Sequence, residues 1–109
     1  MANYGAVDIG SNSIRMQAAE VGAGGPVRIL AEDRHVTRLG DSVFGEGRIN
    51  DQALELTIDV LSRMAKTLAE HGVEKVRAVA TSAVRDARNQ NEFLAAALTA
   101  LGNDVDVIS

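Results

Sequence analysis

A chain of 109 residues with 46% apolar and 24% charged residues is long enough to bury one small core. Its aromatic content, one Tyr and two Phe, is too low for base-stacking platforms, and a formal charge of −4 argues against a general nucleic-acid or membrane-surface binder. The absence of cysteine excludes disulfides and thiolate metal sites, and no apolar run approaches the ~20 residues of a membrane span.

The first five residues lack a basic region followed by an apolar one, so a soluble cytoplasmic protein is expected. Residues 6–9 and 14–21 read as strands separated by a polar turn that contains Gly10. Residues 22–26 form a Gly/Pro turn cluster, and 27–39 supply a third extended stretch with Val27, Ile29 and Ala31 on one face at period two. Residues 40–47, with three glycines, are expected to be a loop.

Asn50 is a good N-cap for the helix that follows, with Asp51 favourably placed in its first turn. Leu54, Ile58, Leu61, Ala65 and Leu68 recur at helical spacing and point one stripe of residues 51–71 at a core, with Gly72 as the C′ residue. Residues 73–81 enter the core as a strand that ends in the polar pair Thr81–Ser82. Asn89 with Glu92 resembles a capping box for a helix carrying Phe93, Leu94, Ala97, Leu98 and Leu101 and stopping at Gly102. A last strand starts at Val105 and runs out at Ser109 with no tail, as expected of a truncated chain.

The resulting order is β-β-β-α-β-α-β, an antiparallel meander followed by α/β crossovers. This is the ribonuclease-H-like arrangement of one lobe of an actin-like α/β fold, a mixed sheet flanked by helices. No internal repeat or linker interrupts it.

Two segments carry chemistry. In Asp8-Ile9-Gly10-Ser11-Asn12-Ser13 a strand delivers Asp8 to its carboxyl end, Gly10 lets the backbone turn, and Ser11, Asn12 and Ser13 follow with hydroxyl and amide donors. Successive N–H groups in such a turn can form a nest around phosphate. A carboxylate repels phosphate, so the sensible role for Asp8 is to hold Mg²⁺ directly or through water, or to orient an attacking water.

The second segment runs from Ala80 to Asn89. There Thr81 and Ser82, candidates to bind phosphate through their hydroxyls, lead from a strand into a short helical turn bearing Arg85 and Arg88. These could add a guanidinium to an anion already held by the first turn, against a reading as a capped strand–helix junction with solvent-facing arginines. Arg15 lies two residues after Ser13 and should share its face of the strand. Nine of the eleven basic residues are arginine, which suits bidentate phosphate binding, though GC-rich codon usage produces the same bias. Arg34, Arg38 and Arg48 could form a track for a polyanion, against a reading as solvated surface. His35 and His71 have no metal-ligand partners at useful spacing, and Asp104 and Asp106 read as solvent-facing alternation.

Asp8 to Arg15, Arg38-Leu39-Gly40, and Ala80-Thr81-Ser82-Ala83-Val84-Arg85-Asp86-Ala87-Arg88-Asn89 together resemble the exopolyphosphatase/guanosine pentaphosphate phosphatase (Ppx/GppA) family over essentially the whole chain. Asn12 separates the pattern from sugar kinases and other actin-like ATPases. The resemblance implies Mg²⁺-assisted hydrolysis of the terminal phosphoanhydride of polyphosphate, guanosine pentaphosphate or both. It places Gly10, Ser11, Asn12 and Ser13 in a first phosphate loop and Arg85 near the reacting phosphate. It associates Arg15 with phosphate or guanosine tetraphosphate/pentaphosphate contact, and it implies a homodimer formed through later domains.

The family pattern continues past a strand like 105–109 into Gly-x-x-Glu-Ala, whose glutamate is the expected general base. This chain stops short of it and of the second phosphate loop, so the chain alone is expected not to turn over substrate. Two other readings use the same residues. One is a guanosine tetraphosphate-sensing regulatory module on this fold; the other is a kinase or ATPase with an adenosine pocket in a second lobe.

Overall fold

The computed structural model describes residues 2–108. Five strands form one sheet in the order β3-β2-β1-β4-β5, where β1 is Ala2–Ile9, β2 Ser13–Val21, β3 Val27–Val36, β4 Lys75–Ala80 and β5 Val105–Val107. The first three strands pair antiparallel, and β4 and β5 add parallel to β1, so the sheet is mixed as the order of elements predicts. Strands β1, β2 and β4 alternate in burial. Val7, Ile9, Ile14, Met16, Ala18, Ala78 and Ala80 are buried on one face, while Ala6, Asp8, Arg15, Gln17 and Arg77 are exposed on the other.

Four helices supply the rest of the core: α1 Leu39–Glu46, α2 Asp51–Glu70, α3 Ser82–Asp86 and α4 Gln90–Leu101. All of the buried apolar side chains join in one cluster, which leaves the face bearing Asp8 open. The Asn50 side chain caps α2 by accepting from the Ala53 amide at 2.8 Å, and the helix runs to Glu70. Its buried line is Thr57, Val60, Leu61, Met64 and Leu68; Leu54, Ile58 and Ala65 flank it half-buried. None of these helices is long and apolar enough to cross a membrane among the described residues.

Three departures from the sequence reading concern α1, the β2–β3 register and the start of α4. Residues 39–46 are a helix, not a loop. Burying Leu39 and Val43, one turn apart, outweighs the ~1 kcal/mol that each interior glycine costs a helix. The Ser42 hydroxyl then ties the helix to the next segment, donating to the Arg48 carbonyl and accepting from the Asn50 amide, both at 2.8 Å. Second, a bulge between Ala18 and Ala19 changes the β2–β3 register, setting Ala31 opposite Ala18 but Ile29 opposite Ala19. Those two side chains therefore lie on opposite faces of the sheet.

Third, Asn89 makes no side-chain cap for α4. Its amide instead grips the Ile49 backbone, accepting from the N–H at 2.8 Å and donating to the carbonyl at 2.9 Å. That pair of bonds fixes the α1–α2 connection against the start of α4.

Between β3 and α1 the chain turns at Arg38, the one non-glycine residue with positive φ among those described (φ 54°, ψ 42°). A left-handed conformation costs an L-residue roughly 1–2 kcal/mol. The exposed Arg38–Asp41 pair at 3.8 Å offsets little of it. Arg38→Gly is therefore expected to raise stability by about 0.5–1 kcal/mol after the added freedom of the unfolded chain is subtracted. Urea denaturation checks this, and a lower midpoint for the variant would show that the turn is not strained.

Candidate functional site

The carboxyl ends of the parallel strands β1 and β4 open at one edge of the sheet, where α/β folds place their ligands. There β1 passes through residues 10–12 into β2. The Gly10 amide donates to the Ser13 carbonyl at 3.0 Å, and a Cβ at Gly10 would stand only 3.0 Å from that same oxygen, so no larger residue closes the turn this tightly.

The loop's carbonyls are taken by the segment that follows β3. The Asn12 carbonyl accepts from the Thr37 and Arg38 amides at 3.1 Å each, and the Ser11 carbonyl accepts from the Gly40 amide at 2.7 Å. A Cβ on Gly40 would meet both the Ser11 side chain and its carbonyl at 3.2 Å, which is why glycine follows Arg38-Leu39 here. With their carbonyls engaged, Ser11 and Asn12 keep their amides available: neither donates to an acceptor among the described residues. Two adjacent free N–H groups in a polar turn are a binding feature for an anion.

The second segment meets this turn directly. The Thr81 amide donates to the Ile9 carbonyl at 3.2 Å, extending the β1–β4 ladder by one rung. The Ser11 and Ser82 hydroxyls lie 3.0 Å apart, although 71 residues separate them. The Thr81 side chain makes no hydrogen bond among the described residues, and its carbonyl starts α3 by accepting from the Arg85 amide at 3.0 Å.

Arg85 forms no side-chain hydrogen bond to the turn among the described residues. Its exposed guanidinium touches Asp86 at 3.3 Å and reaches the Ile108 carbonyl at 3.5 Å, at the ends of β4 and β5. Arg88 does not join the site. It falls outside the short helix and brackets the end of α1, its amide donating to the Gly47 carbonyl at 2.9 Å and its guanidinium to the Glu46 carbonyl at 3.1 Å.

Asp8 and Arg15 are cross-strand partners on the open face, and Arg15 shares that face with Ser13, as period two predicts. Asp8 is exposed and forms no ion pair among the described residues. No group of three or more His, Cys, Asp or Glu that could hold a metal occurs among them either. A single unengaged carboxylate beside a polar turn with free amides is compatible with Mg²⁺, which keeps several waters and is commonly bound through one or two carboxylates plus substrate phosphates. The sequence did not foresee the bracket of Thr37, Arg38 and Gly40 behind the turn. Its one local signal was the glycine after Arg38-Leu39.

Comparison with known proteins gives a consistent picture. The model of the Ppx/GppA phosphatase family matches residues 18–109. Exopolyphosphatase 2 of Mycobacterium tuberculosis is 38% identical over 105 residues, covering 94% of this chain and 33% of that protein. A guanosine-5′-triphosphate,3′-diphosphate pyrophosphatase of Photobacterium profundum is 36% identical over 105 residues, covering 96% of this chain and 21% of its own length. The chain thus spans a third or less of these relatives.

Among solved structures, the Aquifex aeolicus Ppx/GppA phosphatase superposes with a TM-score of 0.91 at 37% identity, over 99% of this chain and 36% of that one. MamK, at 18% identity and a TM-score of 0.54, shares the actin-like fold alone.

Proposed function

Since this chain belongs to the Ppx/GppA phosphatase family, we propose that it is the N-terminal lobe of a cytoplasmic phosphohydrolase that cleaves terminal phosphoanhydrides of polyphosphate, guanosine pentaphosphate or both. The observation that carries this reading is the Ser11–Ser82 hydroxyl contact, which joins the turn with free amides to the Thr81–Ser82 junction. In it, the Ser11 and Asn12 amides, the Ser13 hydroxyl and the one hydroxyl that the Ser11–Ser82 pair leaves free hold the terminal phosphate. Thr81 shapes the junction through its backbone, and Gly10 keeps the approach short.

Asp8 would hold Mg²⁺, directly or through water. When bound, that ion neutralises charge on the phosphate oxygens. Arg15 takes a neighbouring phosphate, and Arg85 moves its guanidinium from Asp86 and Ile108 toward the charge that develops in the reaction. The general base is the glutamate of the family's Gly-x-x-Glu-Ala pattern, a second lobe closes the site, and later domains carry the dimer contacts.

The test is phosphate release from tetrapolyphosphate and from guanosine pentaphosphate by the full-length protein with Mg²⁺, beside the 109-residue chain alone. Release by the full-length protein, lost on chelation and absent from the short chain, is the expected result. Metal-dependent release by the short chain would sink the assignment of the base. Tight guanosine tetraphosphate binding without any hydrolysis would favour a sensor, and turnover of ATP alone a kinase-like protein.

A further inference from the structure

Seven of the nine arginines are engaged in the folded chain. Arg28 pairs with Glu20, Arg38 with Asp41, Arg48 with Asp51, Arg63 with Asp59, Arg77 with Asp106 and Arg85 with Asp86, while Arg88 binds the Glu46 carbonyl. The remaining two, Arg15 and Arg34, form neither an ion pair nor a side-chain hydrogen bond among the described residues. They are also directly opposite each other across β2 and β3. Both are exposed on the open face, where they line one shallow depression with Met16, Gln17, Glu32 and Asp33.

Like charges in opposed positions of an antiparallel pair destabilise it, and nearby acids would ordinarily relieve the repulsion. Here they do not. Glu32 shares the face and the depression, but its carboxylate accepts from the Gln17 amide at 2.7 Å. Asp33 also lines the depression, but its carboxylate is taken by His35 at 3.0 Å and by the Arg34 backbone amide at 2.9 Å. Asp8 lies across β1 from Arg15 without closing an ion pair. The other arginines once available for a polyanion track, Arg38 and Arg48, each have an aspartate partner.

We propose that Arg15 and Arg34 together form a second anion subsite, which holds the inner phosphates of a linear condensed-phosphate chain whose terminal phosphate sits in the Ser11–Ser82 turn. Asp8, Arg15 and Arg34 occupy one row across β1, β2 and β3, so a chain leaving the turn along that row meets the Asp8 carboxylate first, which would hold Mg²⁺, and the two guanidinium groups next. Adjacent strands are ~4.8 Å apart, so Arg34 carries the positive charge one strand further from the turn than Arg15 does. This assignment rests on the phosphohydrolase reading and adds Arg34 to it as a residue that selects for substrate length.

The experiment compares wild type, Arg34→Ala, Arg34→Lys and Arg28→Ala in the full-length protein, using tetrapolyphosphate, guanosine pentaphosphate and inorganic phosphate as probes. Arg28 lies on the same strand but is paired with Glu20, so its variant reports the loss of any β3 arginine. Arg34→Ala is expected to raise KM for tetrapolyphosphate roughly tenfold or more with kcat little changed, with partial recovery in Arg34→Lys. Product inhibition by inorganic phosphate, which is too short to reach β3, should not move.

Equal kinetics for Arg34→Ala and Arg28→Ala, in an enzyme that cleaves tetrapolyphosphate, would overturn the subsite alone. A defect confined to guanosine pentaphosphate would overturn the linear-chain assignment. A wild-type protein that cleaves neither substrate would remove the phosphohydrolase reading itself.

Discussion

Replacing Arg85 with alanine is expected to lower kcat of the full-length protein roughly 10²–10³-fold, the usual cost of removing one donor aimed at developing charge. The fold should not suffer. The Arg85 side chain is exposed, and its contacts are a neighbouring carboxylate and a 3.5 Å approach to the Ile108 carbonyl, neither of which is buried. Its effect is therefore predicted to separate cleanly from stability. Arg85→Lys keeps the charge but loses the planar fork that grips two oxygens at once, so it should restore a minor part of the rate. Steady-state phosphate release checks this, with circular dichroism to show that each variant is folded. An Arg85→Ala enzyme with wild-type kcat would remove Arg85 from the chemistry and leave the Ser11–Ser82 turn as a binding site alone.

The largest effect on stability is expected from Phe93→Ala, at about 3–5 kcal/mol. Of the three aromatic side chains, Tyr4 is 41% exposed and Phe44 63% exposed, while Phe93 is fully enclosed in the cluster beneath the sheet. Its neighbours there are aliphatic, and an aliphatic wall cannot collapse fully into the space that a lost ring leaves. A chain of this size has a total stability of about 5–15 kcal/mol, so the variant forfeits a large fraction of it. Phe44→Ala on the exposed face of α1 serves as the contrast and should change little. Urea melts followed by circular dichroism measure both, and a Phe93→Ala midpoint close to wild type would mean that the core repacks.

How much of this was legible in the sequence depends on where the deciding energy lies. The helix from Asp51 was readable because its signals are local: the Asn50 cap, a repeating apolar stripe and a glycine after its end. The turn at Gly10–Ser13 was readable for the same reason. Helix α1 was not, because Gly40, Gly45 and Gly47 argue for a loop and the compensating burial of Leu39 and Val43 comes from elements distant in the chain.

Asn89 illustrates the same limit. Its spacing to Glu92 is that of a cap, yet two bonds to the Ile49 backbone, 40 residues away, decide its role. Arg34 was one of several scattered arginines until the β2–β3 register set it against Arg15. Register is a property of two strands, and no single stretch of sequence states it.

The hydroxyl contact between Ser11 and Ser82 also has a consequence for protons. Each serine brings one hydrogen and two lone pairs, and a single 3.0 Å contact uses one hydrogen and one lone pair. The pair therefore always keeps one O–H unspent, and which serine holds it depends on the direction of the bridge. When an anion arrives, that spare hydrogen can turn toward it without breaking the bridge, and the donating partner can relay polarisation from behind. The two serines then act as one two-atom switch whose polarity the ligand sets, and removing either leaves the other a free rotor.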